Sequence, residues 1–161
     1  VGTFSSSQPP SFSSPRQERS RTKRLVVGAT LGLLAAIVLW NCGKGTYHNY
    51  RLSSAAVDQF HRQLNQADYE AIYGDATDAF RATGTRADAL KVFEVVHQKM
   101  GDSGKMSARG FHISWQNGRT TVDQVFETQF TLGRGQESFV WIIEQDQAHL
   151  QAYHINSANL N

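Results

Sequence analysis

From Leu25 to Gly43 the chain runs nineteen residues without a charge. At about 1.5 Å per residue, a helix of that length reaches roughly 29 Å, close to the hydrocarbon thickness of a bilayer. No polar face interrupts the run and it has no amphipathic period, so a helix made of it has no side to turn to water. Arg21, Lys23 and Arg24 flank its N-terminal end. These features predict a single transmembrane or signal-anchor segment at 25–43. By the positive-inside rule, residues 1–24 stay in the cytoplasm and the remainder lies outside. The first fifteen residues, "VGTFSSSQPPSFSSP", have little to bury against the entropy of ordering, so 1–24 read as a disordered basic tail. The expected location is the inner (cytoplasmic) membrane, single-pass, with a tether at 44–52 and an extracytoplasmic domain at 53–161, periplasmic in a bacterium.

The only cysteine, Cys42, lies at the outer end of this run. A lone cysteine excludes an intramolecular disulfide, a CxxC redox pair and a multi-cysteine zinc site, so packing alone must hold the fold. Cys42 is a candidate lipid-attachment residue, but "LWNC" sets Trp40 and Asn41 where a lipoprotein peptidase wants small residues. The preferred reading is an uncleaved span, with Trp40 as its interfacial aromatic. Five basic residues and one acidic residue precede the run; eleven basic and thirteen acidic follow it. The basic pI near 8.8 thus belongs to the tail, which argues against a nucleic-acid-binding domain.

Beyond the tether, "LSSAAVDQFHRQLNQADYEAIY" spaces Val57, Phe60 and Leu64 as an amphipathic helix does, with Ser53 or Ser54 to cap it. Ile72, Tyr73 and Phe80 are buried candidates around a short helical stretch, "GDATDAFRATG". "TRADALKVFEVVHQKMG" then sets Ala89, Phe93, Val96 and Met100 on one stripe, with Thr85 and Asp88 as a capping pair and Gly101 as C-cap. From there the period changes. "GFHISW", "TVDQVFETQFTL", "ESFVWII" and "AHLQAYHI" read as strands, joined at "NGR", "GRGQ" and "EQDQ". Alternation gives one face Phe111, Ile113, Trp115, Val122, Phe126, Phe130, Phe139, Trp141, Ile143, Tyr153 and Ile155. The predicted class is α+β: N-terminal helices packed on one face of a curved four-stranded antiparallel meander.

This order of elements, with "LNQADYEAIY", a short "DAF" helix, and strands "FETQF", "ESFVWII" and "LQAYHI", resembles small bacterial envelope domains of unknown function, often lipoproteins, with a nuclear transport factor 2-like (cystatin-like) fold. The resemblance covers about residues 50–157. It implies a fold and an envelope location and no reaction, because that fold hosts enzymes and non-catalytic modules alike.

No catalytic motif stands out. "GDSGKMS" lacks the glycine and hydroxyl positions of a phosphate loop and reads as a turn into the first strand. His112 and His154 could share the open face with Glu127 or Glu144, yet the linear spacing singles out no metal site, and no cofactor is expected. Tyr69, Tyr73 and Tyr153 are the only polar-tipped residues placed between helices and sheet. The chain is therefore expected not to be an enzyme. The candidate binding surface is the open sheet face, where Val125, Val140, Ile142 and Leu150 form an apolar patch beside His112 and His154. The function expected is a membrane-anchored, non-catalytic interaction or ligand-binding module. Its partners would be the bilayer and a second copy or another envelope protein. The alternative is a small-molecule enzyme or carrier with a cavity near Tyr73 or Tyr153.

Overall fold

The structure, a computed structural model, describes residues 45–160 together with Gly2. The expectations for the tail at 1–24, the span at 25–43 and Cys42 lie outside the described residues. Among the described residues no helix is long and apolar enough to cross a membrane.

Helix α1 occupies 45–65. Val57, Phe60, His61 and Leu64 form its buried stripe. The segment expected as a tether is already helical from residue 45, so Ser53 and Ser54 lie inside the helix and do not cap it. The Ser53 hydroxyl instead donates to the Tyr50 carbonyl (3.1 Å), the backward bond available to a mid-helix serine. His48 holds Asp146 and Tyr50 sets its ring edge-on to Phe111 (5.0 Å), so tertiary contacts support the extra turns.

The one long helix expected from 53 to 73 is two. Ala67 takes a left-handed conformation (φ 55°) and Asp68 then caps α2, Tyr69–Asp75, by accepting from Ala71 N. Helix α3, Asp78–Arg81, starts on Thr77. Helix α4, Arg86–Met100, has the expected ends: Thr85 accepts from Asp88 N, and Gly101 (φ 74°, ψ −163°) closes it. Phe93, Val96 and Met100 are its buried residues.

Four strands follow: β1 Ser103–Gln116, β2 Arg119–Phe130, β3 Gly133–Glu144 and β4 Gln147–Asn156. They form an open antiparallel sheet in the order β1-β2-β3-β4. Asn117–Gly118 and Gln145–Asp146 make the outer turns with positive φ throughout, as the twist of a two-residue hairpin requires. The middle turn is Thr131–Leu132. "GRGQ", expected as that connection, lies inside β3, because its glycines make room: a Cβ on Gly133 would meet Asn159 Nδ2 at 2.6 Å, and one on Gly135 would meet Ile155 at 3.0 Å. Most of "GDSGKMS" is likewise strand, and only Gly101 and Asp102 link α4 to β1.

The helices and one sheet face share a core centred on Phe139, whose ring contacts Phe60, Phe126, Trp141 and Tyr153. Each such buried ring contributes about 1.5–3 kcal/mol. β1 projects beyond this cover. Phe111 and Trp115 alternate onto the core side, yet Trp115 is 72 % exposed.

Candidate functional site

The expected open-face patch is smaller than alternation alone implies. Val125 and Val140 are on that face and half-buried, flanked in register by Ser138 and Asp123. Leu150 is not there. Val140 pairs with Ala152 and Trp141 with Leu150, so Gln151 is an extra residue that reverses the alternation. Leu150 consequently enters the core at 2 % exposure. Ile142 is 8 % exposed and lines a cavity of about 380 Å³ with Ala79 and Arg81 of α3, so part of the patch is covered by the chain itself. His112 and His154 are both exposed but sit on the two edge strands, three strand spacings or roughly 14 Å apart. They cannot hold one ion together. Among the described residues no cluster of His, Cys, Asp and Glu has metal-binding geometry.

The interior holds groups that the sequence reading passed over. Glu137 is completely buried. Its Oε2 accepts from Thr128 Oγ1 and from His61 Nε2 (2.9 Å), and its Oε1 from the Tyr153 hydroxyl (2.8 Å). The carboxylate needs donors, which assigns the proton to His61 Nε2 and leaves Nδ1 buried with no partner among the described residues. Burial, and then the charge and hydrogen bond of Glu137, push the Tyr153 phenol well above its ordinary value. One carboxylate thus ties α1, β2, β3 and β4 together. Glu137 was legible by alternation with Phe139 and Trp141, and His61 by its place four residues after Val57.

A second polar chain runs from the Tyr69 hydroxyl to His97 Nδ1 (2.9 Å) and from His97 Nε2 to Asp102 (2.9 Å). Hydroxyl, imidazole and carboxylate in that order can activate a nucleophile. Here burial and Glu94 raise the Tyr69 phenol, the reverse of activation. The chain serves as a strut joining α2, α4 and the start of β1.

Two further cavities open between helices and sheet among the described residues. One, of about 240 Å³, is lined by Tyr73, Phe80, Phe93 and Tyr153 among others. The other, of about 370 Å³, lies between α1, α2 and the β3–β4 hairpin. Leu52, Ala56, Phe60, Ile72 and Leu150 give it apolar walls. Its polar rim is organised by Asp75, whose Oδ2 accepts from Gln59 (3.0 Å) and Gln63 (3.2 Å), and whose carbonyl accepts from His149 Nδ1 (3.1 Å). Trp141 also lines this cleft. It is 3 % exposed, and its indole N–H finds no acceptor among the described residues. A concavity of this size, with apolar walls and several fixed polar groups, has the dimensions of a small-molecule site.

No protein-family model matches the chain, and a search of curated proteins finds no match to it.

Proposed function

We propose that this chain is a single-pass membrane protein whose extracytoplasmic domain, related to the envelope domains its element order resembles, acts by binding and not by catalysis. Its site is the cleft between α1 and the β3–β4 hairpin. The observation that carries this reading is a concavity of about 370 Å³ in which apolar walls meet a rim of polar groups fixed around Asp75. Anchorage is supported by the uncharged run at 25–43 and its basic flank, and by Tyr47 and Tyr50, exposed aromatics close after the run's end. Carbonate extraction of membranes carrying the full chain tests the anchor: the protein is expected to stay in the pellet, and release to the supernatant would contradict it.

A second reading, an enzyme or carrier using the space near Tyr73 and Tyr153, is favoured by the smaller cavity there. The tightly held Tyr153 proton weighs toward a carrier, because a phenol raised so far is a poor acid or base at neutral pH.

A further inference from the structure

We infer that the end of the domain where α1 begins rests on the lipid surface through an aromatic patch, Tyr47, Tyr50, Phe111 and Trp115, with Trp115 set among the headgroups. This rests on the chain being anchored by the run at 25–43 and goes further, to the part of the folded domain that meets the bilayer. Phe111 and Trp115 are four residues apart on β1 and so lie on one side of the sheet. Tyr50 sets its ring edge-on to Phe111 (5.0 Å), and Tyr47 lies about one helical turn nearer the start of α1. In register, Trp115 pairs with Thr120 beside the Asn117–Gly118 turn, and Thr120 with Ile143 beside the Gln145–Asp146 turn. His48 of α1 reaches Asp146 in that second turn (3.0 Å). The start of α1, both outer turns and Trp115 therefore share one end of the domain. Six large hydrophobic side chains are exposed among the described residues, and four of them gather here; the other two, Val92 and Leu132, lie on α4 and at the middle turn. Such a gathering marks an association surface.

The chain that precedes the patch and the chemistry of its side chains select a bilayer over a second copy. Tyr47 follows Gly43 by four residues, which extend at most about 14 Å, so a span ending at Gly43 keeps this end of the domain within reach of the headgroups. Tryptophan and tyrosine settle at that depth, where an apolar ring and a polar tip are both accommodated. The nearby carboxylates of Glu144 and Asp146 are engaged by Arg119 (3.1 Å) and His48 (3.0 Å), so neither confronts the lipid phosphates without a partner.

The experiment uses the full chain in phosphatidylcholine vesicles, plain or brominated near the headgroup end of one acyl chain, because bromine quenches tryptophan fluorescence at contact range. The chain has three tryptophans, Trp40, Trp115 and Trp141. Trp40→Phe leaves Trp115 and the buried Trp141, Trp40→Phe/Trp115→Phe leaves Trp141 alone, and Trp115→Phe keeps Trp40. Trp115 is 72 % exposed, so replacing it leaves the core intact. Brominated lipid is expected to remove most of the Trp115 emission from Trp40→Phe and to leave the emission of Trp40→Phe/Trp115→Phe unchanged. Quenching of Trp115→Phe without quenching of Trp40→Phe would overturn the inference while the anchor stands, and is the result that a second copy seated on the patch would give. Quenching of neither would overturn the anchor and the inference with it. Quenching of Trp40→Phe that persists in Trp40→Phe/Trp115→Phe would place Trp141 at the bilayer, and would also overturn the inference.

Discussion

Tyr153 and Glu137 illustrate how a single buried contact links pH to stability. The phenol donates to a carboxylate that is removed from water, and deprotonating it would set two negative charges side by side. In the unfolded chain tyrosine loses its proton near pH 10, whereas the folded state keeps it to higher pH. The unfolded state therefore binds fewer protons above pH 10, and stability present below that pH is lost as pH rises further, with a slope of up to about 1.4 kcal/mol per pH unit. Tyr153→Phe is expected to cost about 1–3 kcal/mol at pH 7, because Glu137 loses a donor, and to flatten much of the alkaline slope. Urea unfolding at pH 8 and pH 11 measures both effects; an unchanged slope in the variant would contradict this account. Part of this was legible in the sequence. Glu137 alternates with Phe139 and Trp141, so period alone sets it inward, but three donors converging from positions 61, 128 and 153 are visible only once the chain is folded. Leu150 was illegible for a related reason: one extra residue at Gln151 reverses a face, and nothing in "HLQAY" marks a bulge.

Local signals read well where a cap or turn demands a particular residue type. Thr85, Asp88 and Gly101 bound α4 as expected, and Asn-Gly turns β1 into β2. They read poorly where tertiary space decides, as at Gly133 and Gly135, which mark close neighbours and not a turn. α1 extends upstream because Tyr50 and His48 find partners remote in sequence, which no helix-start signal could convey. Gly101 is the most constrained joint between elements. Its φ and ψ fall in a region open essentially only to glycine, and a Cβ there would meet Thr131 Oγ1 at 1.9 Å. Gly101→Ala is expected to cost about 2–3 kcal/mol, read as a lower urea midpoint with an unchanged m-value. A loss below about 0.5 kcal/mol would show that the α4–β1 joint relaxes freely.

For the molecule as a whole, the α+β class and the four-stranded meander follow from the change of hydrophobic period after Gly101. The distribution of exposed surface does not. Helices cover the centre of one face and leave Phe111 and Trp115 of β1 uncovered, while the opposite face has lost Leu150 and most of Ile142 to burial. What remains there, Val125 and Val140, is a narrow apolar surface. The cleft beside Trp141 is the better-built site. The two are separated by mass spectrometry of small molecules extracted from the full chain purified from the cells that make it, compared with Ala55→Trp and Val140→Asp. A small molecule is expected to accompany the wild-type chain and Val140→Asp and to be lost from Ala55→Trp. Its retention by Ala55→Trp, or its loss from Val140→Asp alone, would contradict the assignment of the cleft as the binding site.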